Sequence, residues 1–360
     1  MIADLIYWNA LRHCSALDRT IFNAARARNL FAKDIWESRE HDLHAWIGNR
    51  LFIKELTELR KHANPEKLWK SLERHHIACT IMDDARYPSL LAEIPDAPPV
   101  LYVRGTLPPD PPRAMAVVGS RHESDYGHGV AEALIPAMIQ EGMEIVSGLA
   151  FGVDSTAHKI TIRHGGITGA VLPSGLDSAH LYPVAHARLA ENIIEHHGFL
   201  ISEYPPGTTA RKHHFPARNR IIAGLAHGTC VVEGRAKSGT RITAFLALEY
   251  HRDVFAVPGN IFYPGSETPN ALLRLGAIPL TNVRDILDIF GWESQVLSSS
   301  TRLLDPVQAS LLKLLTDQPQ HIEQLQQKCT LAPQALRLTL TEMELDGIIK
   351  QVDPLTYLAQ

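Results

Sequence analysis

The sequence has only four cysteines, Cys14, Cys79, Cys230 and Cys329, and no two of them form a C-x-x-C pair. That spacing argues against a zinc ribbon, a disulfide framework and a thioredoxin-type redox site. Isolated thiols suit a reducing, cytoplasmic setting. No apolar run reaches the roughly 20 residues a membrane helix needs, and Asp4, Arg12 and His13 interrupt the start, where a signal peptide would stay apolar. No membrane association is therefore expected. Charge of one sign is not in excess either: 35 Lys+Arg against 39 Asp+Glu leave a formal net charge of −4, so any polyanion site must be a local concentration of cations. G-x-G-x-x-G and G-x-x-x-x-G-K-[ST] are both missing, which removes the usual sequence support for a dinucleotide or an NTPase cycle. The doublets His75-His76, His196-His197 and His213-His214 lack zincin spacing and a partner Glu. Neither a metal nor a cofactor is expected.

What is present fits two or three domains in 360 residues. Residues 1–75 predict a small helical domain, because Ile21, Phe22, Ala25 and Leu51, Leu56, Leu59 recur at three- and four-residue spacings between charged positions. Seven prolines between Pro95 and Pro112 surround the short strand-like run Val100–Val103, a lead-in to a new core. From about 114 the pattern changes to short apolar runs, each ending in Gly, Ser or Pro and followed by a helical segment. The runs begin at Met115, Glu144, Ala170, Phe199, Cys230 and Val254. This alternation predicts an extended doubly wound, Rossmann-like α/β domain with a parallel sheet over 76–292. A Ser/Thr-rich linker is expected at 293–304 and a winged helix at 305–360. The last sixty residues carry five Lys+Arg against seven Asp+Glu, so this module is expected to contact protein rather than phosphate.

In an open parallel sheet, ligands bind outside the carboxyl ends of the strands, where loops and helix N-termini converge. Those ends read Gly119-Ser120-Arg121, Ser147-Gly148 through Asp154, and Pro173-Ser174-Gly175, small residues that let a ligand approach the backbone. Between Pro205 and Arg241 lie seven Lys or Arg residues and a single Glu233. Within that block, Lys212, Arg218 and Arg220 interleave with Phe215 and Asn219, the pairing a single nucleic-acid strand needs: cations follow phosphates while a ring stacks on any base. Lys237, Ser238, Gly239 and Thr240 then open a helix, with Ser238 and Thr240 as candidate caps and phosphate donors. Glu233 is expected to orient Arg218 or Arg220 through a bidentate pair.

At these residues the chain resembles the DNA-processing protein A (DprA/Smf) family. The matching series includes Val118-Gly119-Ser120-Arg121, Ser147-Gly148-x-Ala150-x-Gly152-x-Asp154, Gly175-Leu176-Asp177, Ser202-Glu203-Tyr204-Pro205-Pro206-Gly207, Phe215-Pro216-x-Arg218-Asn219-Arg220, Ser238-Gly239-Thr240 and Val257-Pro258-Gly259. Pro173 and the Ser266–Asn270 stretch depart from the family pattern. The resemblance implies a SAM-like N-terminal domain and a non-enzymatic protein that binds single-stranded DNA, protects incoming strands during natural transformation and helps load the RecA recombinase, as a homodimer. It carries strand contact to Ser120, Arg121, Gly148, Lys212, Phe215, Arg218 and Arg220, with Ser238, Gly239 and Thr240 in the same crevice. Gly119, Ser147, Asn219 and Lys237 stand beside these and complete the candidate set; no catalytic residue is expected. The alternative is a nucleoside-monophosphate phosphoribohydrolase on a similar fold. Its Gly-Thr-x-x-Glu order is broken here, since the stretch after Gly239-Thr240 reaches Ala244 without a Glu and Glu233 precedes it.

Overall fold

The computed structural model describes residues 2–108, 110–295, 305–315, 319–329, 331–345 and 348–359. Two compact units result, Met1–Glu293 and Ser294–Gln360. The first begins with six helices, α1 (Ile2–Leu11), α2 (Arg19–Arg26), α3 (Ala32–Glu37), α4 (Glu40–Trp46), α5 (Arg50–Leu59) and α6 (Pro65–Arg74). Local chemistry sets their starts: Asp18 accepts from the Ile21 N–H, and Asn64 accepts from the Lys67 N–H ahead of Pro65. Their apolar stripes do not close a core alone. Trp8, Leu11, Phe52 and Leu56 pack in one cluster with Cys79, Val100 and Tyr102 from the sheet. The helical segment 1–75 and the α/β segment thus share a core within one unit, on both sides of the boundary drawn at 75/76.

The chain continues as β1 (Ala78–Ile81), α7 (Ser89–Glu93), β2 (Val100–Gly105), β3 (Ala114–Val118), α8 (Asp125–Gln140), β4 (Glu144–Ser147), α9 (Val153–Arg163), β5 (Thr168–Val171), α10 (Ala187–Glu195), β6 (Phe199–Ser202), α11 (His214–Gly224), β7 (Gly228–Val231), α12 (Gly239–Glu249), β8 (Asp253–Ala256), α13 (Glu267–Arg274), β9 (Ile278–Pro279) and α14 (Arg284–Phe290). The nine strands lie in the order β1-β2-β6-β5-β4-β3-β7-β8-β9. From β6 to β9 all neighbours are parallel, as the apolar runs predict; β1 and β2 add antiparallel at one edge. The Val100–Val103 lead-in is therefore a full strand seated against β6. Side chains of β3 alternate between layers: Met115 and Val117 face α8 and α9, while Ala116 and Val118 pack with residues of α11 and α12.

Topology positions the site. The chain runs from β3 outward to β6, then returns to place β7 on the other side of β3. Loops leaving β3 and β7 consequently diverge and open a crevice at the switch point. Beside it, Gly152 takes a positive φ (72°) and lets the turn after β4 pack on the loop after β3, since a Cβ there would stand 2.2 Å from the Ser120 carbonyl oxygen.

The second unit contains α15 (Pro306–Leu315), α16 (Ile322–Lys328) and α17 (Pro333–Leu345), with β10 (Gln320–His321), β11 (Ile349–Asp353) and β12 (Thr356–Ala359) in the order β10-β12-β11. Leu311, Leu325, Leu336, Leu340 and Met343 form its own core. This is the expected winged helix. The expected linker lies, from residue 296 on, outside the described residues. No helix among the described residues is long and apolar enough to cross a membrane.

Candidate nucleic-acid interface

The crevice at the ends of β3 and β7 measures about 360 Å³. Its lining includes Gly119, Ser120 and Arg121 after β3, Arg218 and Asn219 on α11, and Lys237, Ser238, Gly239 and Thr240 at the head of α12. Nine of the fourteen sequence candidates therefore share one opening. An adjoining groove brings in Gly148 and Phe215, and Arg121 and Arg218 line both.

Arg218 is the floor. It is only 4% exposed, and its Nη1 donates to the carbonyls of Gly148 and Val171. Glycine at 148 is required for this seat, since a Cβ there would stand 2.0 Å from Arg218 Nη1. Burial pulls the guanidinium down to about 10, opposed by the charge of Asp154, so it remains a cation at neutral pH. Burial in turn raises the Asp154 carboxyl, and Arg218 pulls it back. The Nε of Arg218 is buried with no hydrogen-bond partner, and so is the Ser238 hydroxyl. Two polar groups lining one crevice are thus left without the partner that burial demands.

Around this floor the cations are uncompensated. Arg121, Arg235 and Lys237 are exposed and make no ion pair with any described residue, leaving Asp154 as the crevice's one carboxylate among those residues. The Arg121 guanidinium lies 5.3 Å from the centroid of the Phe215 ring, and Tyr182 meets the same ring edge-on at 5.4 Å. Phe151, 48% exposed, and Tyr182, 41% exposed, line the groove with Phe215. Exposed rings beside unpaired cations suit a flat, anionic polymer.

Sequence reasoning missed Arg235, Phe151 and Tyr182. Arg235 belongs to the counted basic block. Phe151 stands in the turn after β4 and Tyr182 in the loop between β5 and α10, and only their loop position could have singled them out.

Three expectations are corrected. Ser147 does not face the crevice: it is fully buried and its hydroxyl donates to the Val117 carbonyl at 2.7 Å, tying β4 to β3. Arg220 points to the other side of α11, where it pairs with Glu203 at 2.6 Å and Asp96 at 3.5 Å. Glu233 orients neither arginine. It accepts from the Ser124 N–H at 2.9 Å and the Ser124 hydroxyl at 2.7 Å, so its charge sits at the head of α8, where the helix dipole favours it. Ser238 occupies the N-cap position of α12 but makes no side-chain capping bond. Lys212 lies exposed in the turn that leads into α11, three residues before Phe215.

Departures from the family pattern have local accounts. The Pro173 carbonyl receives the Nδ1–H of buried His214 at 2.9 Å, which fixes the turn after β5 against α11. Thr268 is buried and donates to the Arg235 carbonyl at 2.7 Å. His158, a histidine on α9 that could have served as a base, is locked to Thr168 Oγ1 at 2.6 Å. Burial drives its imidazole down to about 3. Among the described residues no group of His, Cys, Asp and Glu is placed to hold a metal ion.

Residues 78–291 match the family described as DNA recombination-mediator protein A, and residues 297–353 match the DprA winged helix domain. Protein Smf of Escherichia coli is 41% identical over 64% of this chain and 60% of its own length. Among solved structures, DNA processing protein A from Streptococcus pneumoniae superposes with a TM-score of 0.67 at 33% identity, covering 79% of this chain and 97% of that one. DNA processing protein A from Helicobacter pylori, described for its single-stranded DNA binding mode, superposes at 0.53 with 25% identity, covering 61% of this chain and 99% of that one.

Proposed function

This chain belongs to the DNA recombination-mediator protein A (DprA/Smf) family, and from that premise we propose that it binds single-stranded DNA in the crevice between β3 and β7 without altering it chemically. One observation carries the reading. A buried, protonated Arg218 with an unpartnered Nε lies beneath three uncompensated cations, beside a groove of three accessible rings. Phosphates are held by Arg121, Arg235, Lys237 and the open N–H groups of α12, while bases stack on Phe215 and its neighbours. Duplex DNA presents its bases only at groove edges and cannot use the rings, so single strands are preferred.

In the cell, the bound strand is protected and handed to a RecA-type recombinase during natural transformation, by a cytoplasmic homodimer. The acidic winged helix acts as a protein-contact module. His158 and Glu233 are each committed to structural bonds, which supports a binding role over hydrolysis.

Fluorescence anisotropy with single-stranded and duplex oligonucleotides across ionic strengths tests the reading. Arg121→Ala is expected to weaken single-strand binding and to make the log K against log[salt] slope shallower by about 0.7, one phosphate's worth. Equal affinity for duplex, or an unchanged slope in the variant, would overturn it; release of free base from nucleotides would establish the enzyme instead.

A further inference from the structure

Helix α11 has two lined faces. Phe215, Arg218, Asn219 and Ile222 face the crevice and its groove, whereas His213 just before the helix, His214, Ala217 and Arg220 line a second cleft. Spacings of three and four residues place each set on its own stripe. The second cleft is about 820 Å³, more than twice the first, and lies between the turn from α1 to α2, the Pro95–Pro99 segment and the loop after β6.

Its charges are not balanced. Four arginines, Arg12, Arg19, Arg211 and Arg220, meet three carboxylates, Asp18, Asp96 and Glu203. The carboxylates are all engaged: Glu203 holds Arg220 at 2.6 Å and Arg12 at 3.6 Å, Asp96 accepts from the Tyr250 hydroxyl and pairs with Arg220, and Asp18 caps α2. Arg19 reaches only the Ile94 carbonyl, and Arg211 is exposed; neither pairs with a described carboxylate. The Nη1 of Arg220 is buried without a partner. Tyr204 and His214 stack at 4.0 Å and 17°, giving this cleft an aromatic wall like that of the first. Lys212 stands at the head of α11 between Arg211, which lines the second cleft, and Phe215, which lines the groove.

We propose that the second cleft is a further nucleotide subsite, which receives the same single strand after it crosses the head of α11 at Lys212. The inference rests on the crevice being the strand's primary site. Arg19 and Arg211 then neutralise two further phosphates, and a strand long enough to span both clefts gains contacts that a short one lacks.

Oligothymidylates of about 4 and about 16 nucleotides, the range of single-strand site sizes, distinguish the two clefts. For the long oligonucleotide, Arg19→Gln/Arg211→Gln is expected to lower the salt slope by about 1.4 and affinity by about tenfold, with binding of the short one unchanged. Arg211→Gln alone, which changes an exposed side chain and keeps the backbone carbonyl that accepts from the His214 N–H, is expected to give about half that slope change, which guards against a folding defect. An unchanged slope for the long oligonucleotide, or equal losses at both lengths, overturns the second subsite while leaving the first intact. Failure of the wild-type chain to bind either length overturns both.

Discussion

Gly148→Ala adds one methyl group at the floor of the crevice, and its effect follows from the geometry. The new Cβ would lie 2.0 Å from Nη1 and 2.5 Å from Cζ of Arg218. An exposed arginine would swing aside at little cost. This one is 4% exposed and is held by two carbonyls, so it must give up both charge-assisted bonds and keep its charge in a buried place. Bonds to charged groups contribute about 1.5–3 kcal/mol each, and stranding a buried charge costs about 3–5 kcal/mol, so a loss of about 3–5 kcal/mol in folding free energy is expected. Urea denaturation of Gly148→Ala measures it. Arg218→Met and the double variant complete a cycle that separates the clash from any backbone effect. With methionine at 218 the alanine should cost less than half as much. An equal cost in both backgrounds, or a loss below about 0.5 kcal/mol, would refute the packing of Arg218 on Gly148.

Phe215→Ala should reduce single-strand affinity by about 1–3 kcal/mol, roughly 5- to 150-fold in titration, with Phe215→Tyr near wild type; an unaffected alanine variant would assign the ring to packing alone. Glu233→Ala should lower stability by about 1–2 kcal/mol through loss of its two bonds to Ser124, the N-cap of α8, and leave strand affinity within about twofold. A large affinity loss at unchanged stability would return Glu233 to the ligand. His158 has a folded pKa pushed from 6.5 down to about 3, so between those values the unfolded chain binds the extra proton and stability falls as pH falls. From pH 7 to 5 the histidine removes about 2 kcal/mol. Glu144, raised by burial to about 7, acts in the opposite direction between about pH 7 and 4.5. The difference between wild type and His158→Gln therefore isolates the histidine, and parallel urea midpoints across this range would contradict its burial as a neutral ring.

The parallel strands were legible because a strand covered on both faces must be apolar throughout, and the turns were legible because only small residues let β3, β4 and α9 meet. β1 left little trace, since Ala78–Ile81 follows the helical pattern of α6 closely and carries the polar Thr80 among its four residues. Side-chain direction was harder to read. Arg218 and Arg220 are two residues apart on α11, which puts them on opposite faces, so a charge count that treats the run as one patch merges a crevice floor with an ion-pair network. Ser147 ends a strand whose last side chain turns into the sheet. Glu233 found its partner 109 residues earlier in the chain, beyond the reach of any local pattern. The basic run located the site, and burial decided which members of the run were free to serve it.

The Glu233–Ser124 bonds have a mechanical consequence. They moor the segment leaving β7 to the start of α8, so both banks of the opening are fastened to each other before any polymer arrives. An incoming strand is threaded through a gap whose width is already set, and it need not spend its own contacts on drawing loops together.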